Sequence, residues 1–251
     1  MRSEVVFFEV SALGALLLLA RHALRTFGKK PGLVLFGYLL VMGFVRELIV
    51  IGLSSATDKP HPFTPDPAMG KVAGVNLAVV AGWVFTTYAS FVLARMIQKR
   101  SLPRTNVFLT LALTALVTTA ISYAVEASGT RLSLWVWDRH SSYLSWLPFD
   151  WTLNAFDGWA ATSLLIMLPY CIIKYRMFSK KAWVNVGSAI ALFLVYALSD
   201  LTVQWFGPHS PRMKMTVVYI GAALLLGFFA PKGMLGTSSE ELGLREEATA
   251  A

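Results

Sequence analysis

Apolar positions along the chain gather into seven runs separated by short polar or basic segments. Residues 72–94, 105–125, 182–199 and 215–231 are uncharged, and residues 5–20, 32–45 and 158–173 form weaker runs. Each approaches or reaches the ~20 residues that a helix needs to cross a bilayer. A membrane β-barrel would show segments of about ten residues with strict alternation, whereas these runs are long and apolar on every side. The pattern predicts an all-α, polytopic integral membrane protein with seven transmembrane helices in residues 1–231. The remaining stretch, 232–251, is polar and is expected to be a disordered cytoplasmic tail or a short surface helix without chemistry of its own.

Composition agrees: 56% of the 251 residues are hydrophobic and 14% are charged. The net charge of +8 does not mark a nucleic-acid binder, because the basic residues form no single patch. They follow alternate runs instead. Arg21, Arg25, Lys29 and Lys30 follow the first, Arg95, Lys99, Arg100 and Arg104 the third, and Lys174, Arg176, Lys180 and Lys181 the fifth. By the positive-inside rule these connections are cytoplasmic, which puts the N-terminus outside and the C-terminus inside. The expected location is a bacterial inner membrane. The single cysteine, Cys171, allows no intramolecular disulfide and no thiolate cluster, and reads as a packing residue.

Charges within the runs are the informative exceptions. Glu9 lies in the first run, Arg46 and Glu47 at the end of the second, and Asp200 at the end of the sixth. The stretch from Glu126 to Trp159 adds four acids and five tryptophans between two apolar runs. Adjacent residues on a helix point about 100° apart, so Arg46 and Glu47 are each expected to seek a partner on a neighbouring helix. Glu47, a proline-containing loop and Gly82-Trp83 are echoed by Glu126, a second such loop and Gly158-Trp159, which suggests a parallel repeat of two hairpins with Asp200 as a degenerate third member. Under the expected topology Glu9, Glu47, Glu126, Asp157 and Asp200 all fall in the outer half of the bilayer. Ionisable groups at such depth are costly, so at least Glu47 and Asp200, which lie further in, are expected to face the bundle interior, and several of the five acids to line one cavity.

An apolar cavity disfavours the charged form of a carboxyl group, and clustering adds like-charge repulsion. A carboxyl group kept neutral in this way can act as a general acid. Trp83, Trp135, Trp137 and Trp159 could stabilise a cation through their ring faces, although Trp and Tyr also concentrate at membrane interfaces regardless of function. With Asn76, Asn154, Arg46 and Glu9 they form the expected substrate-binding set. Acid beside aromatic wall suits protonation of an alkene. Several other chemistries fall away. Lys214 stands at the start of the last run, not in its middle as a retinal Schiff base requires, and His22, His61, His140 and His209 are too scattered for a histidine-ligated iron site. There is no paired aspartate-rich motif for a magnesium diphosphate, and no metal is expected; a site built from Glu126, Asp138, His140 and Asp150 is the weaker alternative. The competing classes are a proton- or cation-coupled carrier or channel and a non-catalytic subunit of a membrane complex. A path across the bilayer needs polar groups in both halves, and the inner half is expected to offer almost none.

Glu126, Trp135-Val136-Trp137, Tyr143, Pro148 and Gly158-Trp159 together resemble the pattern of the membrane carotenoid-biosynthesis family that includes the bacterioruberin-type carotenoid hydratases. The likeness covers about a third of the chain, with an echo in Arg46-Glu47 to Gly82-Trp83. It implies addition of water across a terminal isoprenoid double bond without a cofactor, on a lipid-soluble isoprenoid or carotenoid. Under it Glu126 and Asp157 are the catalytic pair, Glu47 and Asp200 support them, and Trp159 walls the cation. Proton-initiated cyclisation would use the same groups with an internal alkene in place of water.

Overall fold

The computed structural model describes residues 3–56, 70–101, 105–131, 153–175, 181–192 and 236–237, with isolated positions at 177, 179 and 194; side chains at several helix ends lie outside this set. Its elements are α1 (Ser3–Phe27), α2 (Lys29–Ala56), β1 (Lys71–Val72), β2 (Val75–Asn76), α3 (Leu77–Ser101), β3 (Thr105–Asn106), α4 (Val107–Arg131), α5 (Leu153–Tyr175), α6 (Ala182–Leu192) and β4 (Gly236–Thr237). Among the described residues, α1 to α5 are long and apolar enough to cross a membrane. They account for five of the seven expected spans. The sixth is described only over α6, and residues 215–231 lie outside the described set.

The helices alternate in direction, so the bundle has two ends. One, the pivot end, gathers the α1–α2 connection, the α3–α4 connection and the last turn of α5. The other, the cap end, gathers the start of α1, the end of α2, the start of α3, the end of α4 and the start of α5. In the packing α3 lies against α1, α2 and α4, while α5 packs on α4 and touches α2.

Polarity is inverted relative to a water-soluble bundle. Phe7, Leu17, Leu18, Val34 and Val41 are exposed, while Thr87, Ser90, Thr114, Thr118, Ser122 and Thr162 are buried. Leucine facing outward costs nothing when the solvent is hydrocarbon, and small hydroxyl residues let helix backbones approach closely. Many of the hydroxyls bond back to their own helix: Thr86 to the Gly82 carbonyl at 2.7 Å, Thr110 to Asn106 at 2.9 Å and Thr114 to Thr110 at 2.7 Å. Those need no water, whereas among the described residues the buried hydroxyls of Thr87, Ser90, Thr118 and Thr162 have no hydrogen-bond partner. The apolar core runs through Phe27, Leu35, Leu39, Tyr88, Phe91, Ile166 and Met167, with Cys171 buried among them.

Asparagine starts two of the helices. The Asn76 Oδ1 accepts from the Ala78 amide at 2.9 Å, and the Asn106 Oδ1 accepts from the Phe108 and Leu109 amides at 2.9 and 3.3 Å. Both satisfy amides that the first turn leaves orphaned. Gln98, near the end of α3, donates to Thr110 Oγ1 at 2.6 Å and accepts from the Asn106 amide at 2.8 Å, which fixes α3 to α4 at the pivot end. Antiparallel β1–β2, with register Lys71↔Asn76 and Val72↔Val75, turns at Ala73 (φ 50°) just before α3. In the sequence this segment reads as the opening of an apolar run, because the six-residue hairpin is itself mostly apolar.

A single residue, Gly28, separates α1 from α2. The close return is possible because Gly32 has no side chain: a Cβ there would sit 2.7 Å from the Ala23 carbonyl oxygen and 3.0 Å from the Leu24 Cα. Those obstacles are backbone, so the helices themselves must part to admit a methyl group. Gly32→Ala is expected to cost about 1–3 kcal/mol, the range for overpacking, seen as a lowered midpoint of thermal unfolding in detergent. Gly37→Ala, whose added methyl would meet nothing within 4 Å, is the matched control and should leave the midpoint unchanged or raised.

Candidate functional site

At the cap end α2, α3 and α5 bring Arg46, Glu47, Trp83 and Trp159 together. Glu47 lies about 13 Å from the end of α2, and Trp83 and Trp159 each lie about 9 Å into their helices, at 1.5 Å per residue. The Glu47 side chain is only 2% exposed. Its Oε1 accepts from the Trp83 indole Nε1 at 2.8 Å and from Arg46 Nη1. The Arg46 guanidinium also lies over the Trp83 ring, 4.5 Å from its centroid, a cation–π arrangement. On the α5 side Trp83 meets Trp159 with ring centroids 4.9 Å apart and planes tilted by 46°.

Arg46 and Glu47 therefore pair with each other, contrary to the expectation from helix geometry. The reason is the length of the arginine stem: the guanidinium folds back to the adjacent carboxylate while the Trp83 face supports it. The expectation that Glu47 finds a partner on a neighbouring helix holds as well, through the Trp83 indole. An oxygen that accepts two N–H bonds is placed as an acceptor, so Glu47 positions rings and cation more naturally than it donates a proton.

Glu9 is fully buried on α1 and belongs to the same end of the bundle. Asn76 is buried too, but its side-chain oxygen is committed to capping α3. Glu126 lies on α4 about 7 Å from its end, while Asn154 and Asp157 lie on the first turns of α5, again at 1.5 Å per residue. The helices thus carry these positions to the cap end, and the side chains of all three lie outside the described residues. Asp200, Trp135, Trp137 and the weaker metal candidates Asp138, His140 and Asp150 lie outside the described residues altogether.

The pivot end departs from expectation. Its half of the bundle is not poor in polar groups: Arg95 is 5% exposed and Gln98 is 1% exposed. The Arg95 guanidinium lies 5.9 Å from the Phe27 ring centroid and 5.7 Å from that of Phe91, and Lys174 Nζ lies 5.5 Å from Tyr170 and 5.7 Å from Tyr175. His22 on α1 is 2.7 Å from the Tyr88 hydroxyl on α3. In the sequence Arg95 stands one turn before Lys99 and Arg100 and reads as one more flanking charge. The signal that separates it is its spacing of four from Phe91, which puts cation and ring on one helix face.

At the cap end a buried indole, Trp83, is packed between a fixed ion pair and a second indole, Trp159. One face of Trp83 carries Arg46, so a cationic intermediate would find its ring surface on Trp159. No protein-family model, curated protein or solved structure matches the chain.

Proposed function

We propose that the protein is an integral-membrane enzyme of isoprenoid or carotenoid metabolism that protonates an alkene, leading to hydration or cyclisation. The observation that carries this reading is the Arg46–Glu47–Trp83–Trp159 cluster, at the end of the bundle to which α4 and α5 also bring Glu126 and Asp157. In the hydration sequence the Glu126 carboxyl gives its proton to the terminal alkene carbon, and the electron pair of the double bond forms the new C–H bond. The tertiary cation left behind is held against Trp159. The Asp157 carboxylate takes a proton from water as the water oxygen bonds to that cation, so the net change is addition of one water. No electrons are exchanged, which is why no redox cofactor enters. In cyclisation an internal alkene captures the cation instead. Glu47 and Asp200 are supporting groups, with Glu47 holding Arg46 and the Trp83 indole in place.

The same proposal includes a seven-helix topology in a bacterial inner membrane, with the pivot end cytoplasmic, and a parallel hairpin repeat in which Glu47 with Trp83 corresponds to Glu126 with Trp159. A second reading, a proton- or cation-coupled carrier, is favoured by the buried polar residues that continue from Thr86, Thr87 and Ser90 to Arg95 and Gln98 along α3. They supply polar groups in both halves of the bundle, which a transmembrane path requires.

Product analysis in a host that accumulates acyclic carotenoids separates the two. The wild type is expected to convert them to hydroxylated or cyclised products, and Glu126→Gln to lower that conversion by a factor of about 10²–10⁴, the usual contribution of a general acid. An unchanged pigment profile with the wild type would remove the enzyme reading and leave the carrier.

A further inference from the structure

The middle of the bundle carries a polar layer that the cap-end cluster does not use. Thr87 and Ser90 on α3, Thr118 on α4 and Thr162 on α5 are fully buried, and among the described residues none of their hydroxyls has a hydrogen-bond partner. Six other hydroxyls on these helices are satisfied locally: Thr86, Thr110, Thr114, Thr119, Ser122 and Ser163 each donate to a carbonyl three or four residues earlier. The four exceptions share one level. The Gln98–Thr110 bond sets α3 against α4, and Ser90 and Thr118 each stand eight residues, about 12 Å, nearer the cap end than that bond. The Trp83–Trp159 contact sets α3 against α5, and Thr87 and Thr162 stand four and three residues, about 6 and 4.5 Å, from it towards the pivot end. Ser90 stands about 10.5 Å from it on the same scale. All four positions therefore fall within a slab about 6 Å deep, where α3, α4 and α5 adjoin one another. Thr87 and Ser90 follow Trp83 at spacings of four and three, which keeps them on one face of α3.

We propose that these four hydroxyls bind ordered water in the middle of the bundle, bridging α3, α4 and α5. A hydroxyl offers one donor and two acceptor positions, and a buried one that exchanges none of them is costly. A buried water makes about three hydrogen bonds and settles where several polar groups converge, a number that a layer of four hydroxyls supplies. Bonding back to the helix commits a hydroxyl to its own backbone. These four are not committed in that way, so their polarity is available between helices. The layer begins about 4.5 Å beyond the level of Trp83 and Trp159. Water there lies beneath the cap-end cluster whether that cluster acts on an alkene or passes a cation, so the site does not depend on the enzymatic reading.

The test is X-ray radiolytic footprinting of the full-length protein in lipid nanodiscs, read by mass spectrometry, because bound water releases hydroxyl radicals where bulk water does not reach. Ile166, 1% exposed and one helical turn beyond Thr162, should be oxidised in the wild type, and Leu35, equally buried on α2 towards the pivot end, should not. Replacing the four hydroxyls together, as Thr87→Val, Ser90→Ala, Thr118→Val and Thr162→Val, should lower Ile166 oxidation several-fold. Thr114→Val, whose hydroxyl is already bonded to the Thr110 carbonyl, should leave it unchanged. Should the fourfold variant fail to fold, Thr118→Val alone should lower the oxidation and Thr118→Ser, which keeps the hydroxyl, should restore it. A second readout is the midpoint of thermal unfolding: Ser90→Ala and Thr118→Val should each lower it, with a non-additive loss in combination, because the two share bound water. Ile166 left unoxidised in the wild type overturns the proposal, as does oxidation that survives loss of the hydroxyls. So do additive changes of the midpoint in either direction, which would make the four hydroxyls independent of one another.

Discussion

Glu47→Ala is expected to destabilise the protein by about 3–5 kcal/mol, the cost of removing one partner from a buried ion pair. The carboxylate is 2% exposed and takes bonds from both Arg46 and Trp83, so its loss leaves the buried indole N–H without its acceptor and the Arg46 guanidinium, whose side chain is 21% exposed, without its counter-ion. The measurement is the midpoint of thermal or detergent unfolding at fixed lipid content. Glu47→Gln keeps an oxygen that can accept from the Trp83 indole and should cost less. If Arg46→Ala and Glu47→Ala are combined, the loss should be well below the sum of the two, because a pair removed whole leaves no buried charge behind. A double variant with fully additive losses would show that the ion pair does not couple the two residues.

Trp83→Ala should rank beside it, at about 3–5 kcal/mol for truncating a large buried aromatic. The ring is 8% exposed and fills the space between α2 and α5. Within a bilayer the transfer of apolar surface from water contributes little, so the loss is one of packing and of the bond to Glu47. Trp83→Phe retains most of the ring volume and removes only the indole donor, with an expected cost of about 1.5–3 kcal/mol for a hydrogen bond to a charged group. The tilted contact with Trp159 gives a spectroscopic handle. Two indoles 4.9 Å apart should produce an exciton couplet in the ultraviolet circular dichroism. Either Trp83→Phe or Trp159→Phe should abolish it, and Trp183→Phe should not, since Trp183 is 72% exposed on α6.

Much of the helical frame is legible in the apolar runs, because a bilayer demands long uninterrupted segments and this requirement is written locally. The runs underestimate helix length. Residues 32–45 become Lys29–Ala56 and residues 158–173 become Leu153–Tyr175, since backbone hydrogen bonding continues through flanking charged residues that end an apolar run without ending a helix. Glu47, Trp83 and Trp159 are legible as exceptions to their surroundings. Their mutual contact is not, because it depends on the rotation of three helices about their axes. Asn76 illustrates a different limit: a buried polar residue at a helix start is expected at a binding site as readily as at a cap, and here its side-chain oxygen meets the Ala78 amide. Arg95 is hidden by company, being one of several basic residues in a short stretch, of which Lys99 is exposed.

The one-residue reversal at Gly28 governs how the chain can be made. With no slack between α1 and α2, and with Gly32 pressed against the Ala23 backbone, neither helix can cross the bilayer while the other waits outside. The two must enter as one hairpin. Its tip carries Arg21, Arg25, Lys29 and Lys30, charges that resist passage through hydrocarbon. The first insertion event then fixes the side on which every later pivot-end connection must lie.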